Sequence, residues 1–304
     1  MEQQLAGRRF ELPLGSAGYP ALLAEVEHPP KCLYGIGDPT ALQPGVAIIG
    51  ARKATPYGIS CARYFASRVA DRGITIVSGG ARGCDQEAHR AAVEAGVPTV
   101  VVFGSAADVP YPKSGLRLFQ RVIDQGGAIV SEHPWGSPPL RPYFVQRNRI
   151  IAGLSVLLIV VEAGLPSGTF STATAAIEQG KHVAVVPGAI TSPNARGSNR
   201  LIHDFAVPLI DYEALDEAID LAFEDRGMLA LGVEDPENAD PSQSFADDPL
   251  LEALAAAPYS APELTAYFGF STSELVQRLS QYELQGLVQR GRDGRYQVCA
   301  RVRK

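Results

Sequence analysis

From residue 46 onward the chain repeats one pattern: a short continuous apolar run, a turn rich in small residues, then a helical stretch. VAIIG (46–50), ITIVSGG (74–80), PTVVVFG (98–104), AIVSE (128–132), VLLIVVEAG (156–164) and HVAVVPG (182–188) read as strands. None of them alternates apolar with polar residues, which is the signature of strands covered on both faces. Between them, stretches such as TPYGISCARYFASRVADRG (55–73), CDQEAHRAAVEAG (84–96) and GTFSTATAAIEQG (168–180) have helical character. This rhythm predicts an α/β fold, a doubly wound parallel sheet of the extended Rossmann-like kind.

The rest of the chain departs from that rhythm. Residues 1–45 are rich in Pro and Gly and read as an extended N-terminal arm, residues 46–225 as the Rossmann-like domain, and residues 226–248 as an acidic linker. Residues 249–304 read as three helices and a hairpin, the winged-helix pattern. SAPELTAYFG and STSELVQRLSQYELQG each open on Ser and close on Gly, and LVQRGRDGRYQV gives two short strands about an Asp-Gly turn.

The formal net charge of −6 conceals a partition. Residues 211–248 hold 13 acidic residues against one basic, Arg226, whereas residues 1–210 carry +4 and residues 249–304 carry +2. A polyanion senses charge within about a Debye length, ~8 Å, so the net sign does not exclude nucleic acid. The apolar runs are too short to cross a bilayer, and MEQQLAGRRF lacks the pattern of a secretory leader, so a cytoplasmic location without membrane contact is expected. Cys32, Cys61, Cys84 and Cys299 are scattered, so neither disulfides nor a metal site are expected.

In an open parallel sheet, ligands bind beyond the carboxyl ends of the strands. Here those ends are GARKATPYG (50–58), SGGARGCDQEAH (78–89), FGSAADVPYP (103–112), SEHPWGSPP (131–139), VEAGLPSGTFSTA (161–173) and VPGAITSPNARGSN (186–199). Glycine permits close backbone approach, and the N–H groups of a helix start attract anions. Ser78-Gly79-Gly80 followed by Arg82 and Gly83, and Ser167-Gly168-Thr169, are the best phosphate cradles; the alternative is that these glycines only shape tight turns. Arg52, Arg82, Arg147 and Arg149 add positive charge along the same edge. No GxGxxG follows the first strand and no GxxxxGK[ST] occurs, so NAD and ATP in their usual modes are disfavoured and no cofactor is expected.

Groups fit for catalysis are scarce. His89 lies at helical spacing from Asp85, as in a structural pair. Glu132-His133 ends a strand but runs into Pro134-Trp135, and Glu162 is the best lone acid. The segment RPYFVQRNRIIAGLS (141–155) stands out, because it puts Arg141, Phe144, Arg147 and Arg149 at the mouth of a buried run. An aromatic offers a stacking face for a base and guanidiniums offer forked hydrogen bonds to phosphate. In the structural alternative Asn148 caps the following helix and an arginine pairs with Glu132 or Glu162; one of Arg147 and Arg149 is expected to be structural.

AIIGARKATPYG, VSGGARGCDQEAHRAA, the YP dipeptide at 111–112, IVSEHPWG, FVQRNRIIAGLS, VVEAGLPSGTFSTATAAIEQGKHVAVVPG and GSNRLI occur in this order. As a set they resemble the DNA-processing protein A (DprA) family over about residues 10–210. The family's frequent N-terminal helical module of the SAM type is not expected here, whereas a C-terminal winged helix is often appended. The resemblance implies a bacterial single-stranded DNA-binding protein of natural transformation that protects incoming strands and loads a RecA-type recombinase. It also implies a homodimer without catalytic activity. Carried onto this chain, the DNA-binding set is Arg52, Ser78, Gly79, Gly80, Arg82, Gly83, Arg141, Phe144, Arg147, Asn148, Arg149, Ser167, Gly168 and Thr169.

The rival reading is a nucleotide-processing enzyme similar to the lysine-decarboxylase-like phosphoribohydrolases, which carry PGGxGTxxE with a catalytic glutamate. Here LPSGTFSTA places Thr172 at the glutamate position, which argues against hydrolysis. For assembly, NRLIHDFAVPL (199–209) reads as a short helix and an edge strand, with Leu201, Ile202, Phe205 and Leu209 as the dimerisation candidates. In the winged helix, Arg278, Arg290, Arg292 and Arg295 are candidates for weak, sequence-blind contact with duplex DNA, and the alternative partner of that module is protein.

Overall fold

The computed structural model describes residues 5–228, 249–271, 275, 278–279, 282, 288–291 and 294–298. The apolar runs fold as expected into buried strands joined by helices. The elements of the first compact unit are β1 (Arg9–Pro13), α1 (Ala21–Ala24), β2 (Cys32–Gly37), β3 (Gly45–Ile49), α2 (Pro56–Asp71), β4 (Ile76–Ser78), α3 (Cys84–Ala95), β5 (Thr99–Val102) and α4 (Leu116–Asp124). They continue with β6 (Ala128–Ser131), α5 (Arg141–Gly153), β7 (Ser155–Val160), α6 (Thr169–Glu178), β8 (His182–Val185), α7 (Arg196–Asp204), β9 (Val207–Pro208) and α8 (Tyr212–Glu224).

The nine strands form one sheet in the order β1-β2-β6-β5-β4-β3-β7-β8-β9. All pairings from β6 through β9 are parallel. The chain winds from β3 outward to β6, then returns to place β7 on the other side of β3. The gap above β3 and β7 is therefore the switch point, where helices leave in opposite directions and a crevice opens. One apolar layer joins Leu23, Ile150, Ile151 and Ala173 to one face of the sheet, and another joins Phe65, Ala88, Ile219 and Phe223 to the opposite face. A third cluster, around Phe103 and Phe119, seats α4.

Of the expected arm 1–45, residues 1–4 lie outside the described residues, and residues 5–45 do not form an extended arm. β1 and β2 pair antiparallel with each other, and Tyr34–Gly37 of β2 pairs antiparallel with Ala128–Ser131 of β6. The sheet is consequently mixed, and β2 covers an edge that β6 would otherwise leave open to association. The close fit of the hairpin depends on one glycine: a Cβ on Gly35 would stand 2.1 Å from the Phe10 ring. The segment 141–153 is likewise not the mouth of a strand but the helix α5, started by Pro142 in its first turn.

The first part of the acidic tract is also ordered. α8 lies on α2, with Arg68 donating to Asp216 at 2.7 Å, Arg72 bridging Asp216 and Asp220, and Tyr64 stacked on Tyr212 at 3.9 Å. Of the expected linker, residues 229–248 lie outside the described residues. The predicted dimer set divides between core and surface. Leu201 and Leu209 are buried and complete the core, Ile202 is half-buried, and Phe205 is 49% exposed.

The second unit contains α9 (Pro249–Ala256), α10 (Ala261–Phe268), helical residues at Leu275, Arg278, Leu279 and Tyr282, and antiparallel strands β10 (Val288–Arg290) and β11 (Tyr296–Val298). Leu250, Leu254, Leu264, Leu279 and Val288 form its core. α10 begins at Ser260, whose N–H and hydroxyl both donate to Glu263, and ends at Gly269 in the left-handed conformation. Among the described residues no helix is long and apolar enough to cross a membrane.

The hairpin can be tested directly. Phe10→Ala should destabilise the first unit by about 3–4 kcal/mol, as for a buried aromatic, measured as a shift in the denaturation midpoint. A loose arm would give no shift.

Candidate functional site

Two adjoining cavities open at the switch point. The first, about 280 Å³, lies between the turn Gly50-Ala51-Arg52 after β3 and the segment Ser167–Thr172 after β7. The second, about 610 Å³, lies between Arg82 after β4 and Tyr111–Ser114 after β5. Arg52, Ala81, Phe144 and Arg147 line both. A ridge of one aromatic and two guanidiniums thus divides a single crevice into two chambers.

α5 builds that ridge through its period. Phe144, Arg147, Asn148 and Ile151 fall at the i, i+3, i+4, i+7 spacing of one helix face, and all four line the smaller chamber. Phe144 packs so closely on the strand-end loop that a Cβ on Gly104 would meet its ring at 2.7 Å. Its other neighbours are Tyr111, with ring centroids 5.1 Å apart, and the Arg52 guanidinium at 5.9 Å. The expected cap role of Asn148 is not observed. It sits inside α5 and donates to Ser171 Oγ on α6 at 2.7 Å.

Arg147 and Arg149 are two residues apart, about 200° around a helix, so they point to opposite sides. Arg147 is buried; its Nη1 donates to Gly79 O at 2.9 Å and also to Val102 O. Burial pulls the guanidinium down to about 10. Asp85 faces the same chamber and accepts the N–H groups of Gly50 and Ala81, each at 3.3 Å. Burial raises the Asp85 carboxyl and the charge of Arg147 opposes that shift. Arg149, by contrast, lies outside both chambers. It donates to Glu132 through two nitrogens, at 2.8 and 2.6 Å, and to His28 O at 2.9 Å. Both arginines therefore have internal partners, where only one was expected to.

The glycine cradle divides similarly. Ser78 is buried with its hydroxyl on Ile48 O, and a Cβ on Gly83 would stand 2.2 Å from Ala51 O. Ser78, Gly80 and Gly83 shape the turns and line neither chamber, whereas Gly79 and Arg82 line the larger one. Ser167, Gly168 and Thr169 line the smaller one, and Thr169 begins α6, its N–H donating to Ser167 Oγ at 3.1 Å. Arg141 is exposed at the start of α5 and lines neither chamber. Tyr111 of the YP dipeptide lines the larger chamber, as do Lys53 and Lys113, which were not among the expected site residues. Their places in the loops after β3 and β5 were the available signal.

The groups considered for catalysis are engaged elsewhere. Glu162 is buried and accepts both the N–H and the hydroxyl of Thr55, each at 2.8 Å, at the start of α2. His89 does not pair with Asp85. It bonds Thr99 Oγ1 at 2.8 Å, and burial lowers it to about 3, so it is neutral. His133 stacks on Tyr143 at 3.8 Å. Thr172 lines the smaller chamber where the rival family would have its glutamate. No cluster of His, Cys, Asp and Glu fit for a metal occurs among the described residues. In the second unit, Arg278 lies over the Phe270 ring at 4.8 Å, and Arg295 donates to Pro258 O and Glu263, each at 3.1 Å. The Arg290 side chain and Arg292 lie outside the described residues.

The family model described as DNA recombination-mediator protein A matches residues 12–220. Protein Smf of Escherichia coli K12 is 39% identical over 207 residues, which are 68% of this chain and 55% of that one. The structure of DNA processing protein A from Streptococcus pneumoniae superposes with a TM-score of 0.64 at 34% identity, covering 68% of this chain and 73% of that one. The protein of the same name from Helicobacter pylori, studied for its unique single-stranded DNA binding mode, gives 0.64 at 29%, covering 72% and 98%.

The division of roles on α5 has a measurable consequence. Arg147→Ala leaves two buried carbonyls and a buried carboxyl unsupported and should cost about 3 kcal/mol or more. Arg52→Ala, at an exposed site, should stay within about 0.5 kcal/mol in the same denaturant titration.

Proposed function

We propose that this chain, which belongs to the DNA recombination-mediator protein A family, binds single-stranded DNA in the two-chambered crevice with little sequence preference. The observation that carries this is the shared ridge, where the Phe144 ring and the Arg52 guanidinium stand together between the two chambers. The start of α6 and Arg52 suit a phosphate in the smaller chamber. Tyr111, Pro112 and Phe144 suit a base in the larger one, with Lys53, Arg82 and Lys113 around it. Such a site reads backbone charge and ring faces rather than base edges, which favours sequence tolerance.

Binding of a fluorescent oligothymidylate should weaken steeply with salt, by about 0.7 in logarithmic slope for each phosphate neutralised. Arg52→Ala should lower both the affinity and that slope. Phe144→Ala should cost about 1–3 kcal/mol of affinity and leave the slope unchanged. Binding that ignores salt, or that survives both substitutions, would overturn the assignment.

On the same reading the protein shields incoming single strands during natural transformation and passes them to a RecA-type recombinase. It acts without hydrolysing nucleotides: Thr172 stands where the rival family has its glutamate, Glu162 is held by Thr55, and the Asp85 carboxyl in the smaller chamber is held by the N–H groups of Gly50 and Ala81. Residues 249–304 act as a winged helix. The internal contacts of Arg278 and Arg295 favour a protein partner for it over a duplex.

The chain forms a homodimer through the β9 edge, where Phe205, Val207 and Ile210 are 49%, 48% and 74% exposed beside half-buried Ile202. Phe205→Arg should convert the dimer to a folded monomer, read by light scattering together with circular dichroism. A folded variant that stays dimeric would place the interface elsewhere.

A further inference from the structure

One strand-end loop of the sheet lies outside the crevice. VPGAITSPNARGSN (186–199) follows β8 and lines neither chamber, and β8 stands two strands, roughly 10 Å, beyond β3 on the β9 side. Tyr57 joins this loop to the crevice. Only Lys53–Pro56 separate it from Arg52 of the ridge, and its hydroxyl donates to Pro187 O at 2.7 Å. Burial pushes the phenol up to about 12, whereas the residue as a whole is 52% exposed. The hydroxyl is thus shielded while the ring is open to solvent. The anchor of the ring is itself fixed, because Asn199 on α7 accepts the Gly188 N–H at 3.1 Å and donates to Gly188 O at 2.9 Å. Arg196 precedes Asn199 by three residues, so the two share a face of α7 and Arg196 stands beside the same loop. The Arg196 side chain is exposed and has no hydrogen-bond or ion-pair partner among the described residues.

We propose that a single strand seated in the crevice continues over the ends of β7 and β8, where it stacks a base on the Tyr57 ring and sets a phosphate against Arg196. This rests on the single-strand reading of the crevice and extends it toward the β9 edge. A stacking platform needs an open ring that does not swing, and the bond to Pro187 O holds Tyr57 still. Fixing the ring in advance removes the ordering cost that a loose side chain would add to binding. A guanidinium without an internal partner is available for forked hydrogen bonds to phosphate. Arg200, one turn further along α7, is instead committed to Asp204. Glu162, whose charge reaches the Tyr57 hydroxyl, is buried and held by Thr55 rather than turned toward solvent. Ile190, three residues after the anchor, adds exposed apolar surface to the same loop. From Tyr111 after β5 to the anchor of Tyr57 after β8 the track crosses four inter-strand spacings, roughly 20 Å. It offers ring faces and backbone-directed charge along that length, so the added contact is as tolerant of sequence as the crevice.

The test combines a length series of oligothymidylates with photocrosslinking of the unaltered chain. Tyr57→Ala should bind the shortest oligomers that the crevice holds as tightly as the parent does. It should bind longer ones about 5- to 150-fold more weakly, the range expected for one stacked base. Tyr57→Phe keeps the ring and should stay close to the parent at every length, whereas a role confined to the Pro187 bond would make it resemble Tyr57→Ala. Arg196→Ala should lower the salt slope by about 0.7, again only with the longer oligomers. An oligomer carrying 5-iododeoxyuridine, irradiated on the unaltered chain and mapped by peptide mass spectrometry, should mark Tyr57 as well as Tyr111 or Phe144. Photoproducts confined to Tyr111 and Phe144, or a folded Tyr57→Ala chain that matches the parent at every length, would overturn this proposal and leave the crevice reading standing. Photoproducts at none of the three rings would overturn the crevice reading, and the extension with it.

Discussion

The crevice depends on a buried cation. Arg147 enters from α5 and holds the carbonyls of Gly79 and Val102, the residues at the ends of β4 and β5. Asp85, across the same chamber, holds the N–H groups of Gly50 after β3 and Ala81 after β4. Three strand ends and two helices are fastened by these two side chains. Backbone groups at strand ends have no ladder partner, and leaving them buried and unpaired would cost more than bringing in charges that bond them. Once they are fastened, the loops that carry Arg52 and Arg82 have a fixed floor, and the Phe144 ring has a fixed place beside it.

Much of this architecture was legible in the sequence. The continuous apolar runs could belong only to strands covered on both faces, and the position of the crevice followed from where their carboxyl ends gather. The hairpin at the N-terminus was less accessible. RFELP and CLYGIG are short and flanked by Gly and Pro, and β6, the inner partner of CLYGIG, is almost a hundred residues away in sequence. A strand defined by so distant a pairing leaves little local trace. The helical state of 141–153 had a local signal, Pro142 in the first turn, which the charged and aromatic residues after it obscured.

The same contrast holds inside the site. That the crevice would gather arginines and an aromatic could be read from residue types. Which arginine faces it could not, until α5 supplied the angular spacing. Arg147 and Arg149 look equivalent in RNR, yet one supports the crevice floor and the other clamps Glu132 on the far side. The glycines of SGGARG divide by contact distance in the same way. Gly83 is needed because the chain passes close to Ala51, a reason that only the packed structure supplies.

The strand order has a consequence for binding strength. Between β3, beneath the crevice, and the edge strand β9 lie only β7 and β8, three inter-strand spacings of about 4.8 Å each. Two copies joined edge to edge at β9 would hold their crevices roughly 30 Å apart in a fixed orientation. A strand seated in one crevice would then find the second at high effective concentration, and tight capture could come from two individually weak, quickly exchanging contacts. On the proposed dimer, such a device would retain long single strands, let short fragments go, and release its cargo piecewise when a competitor takes one contact at a time.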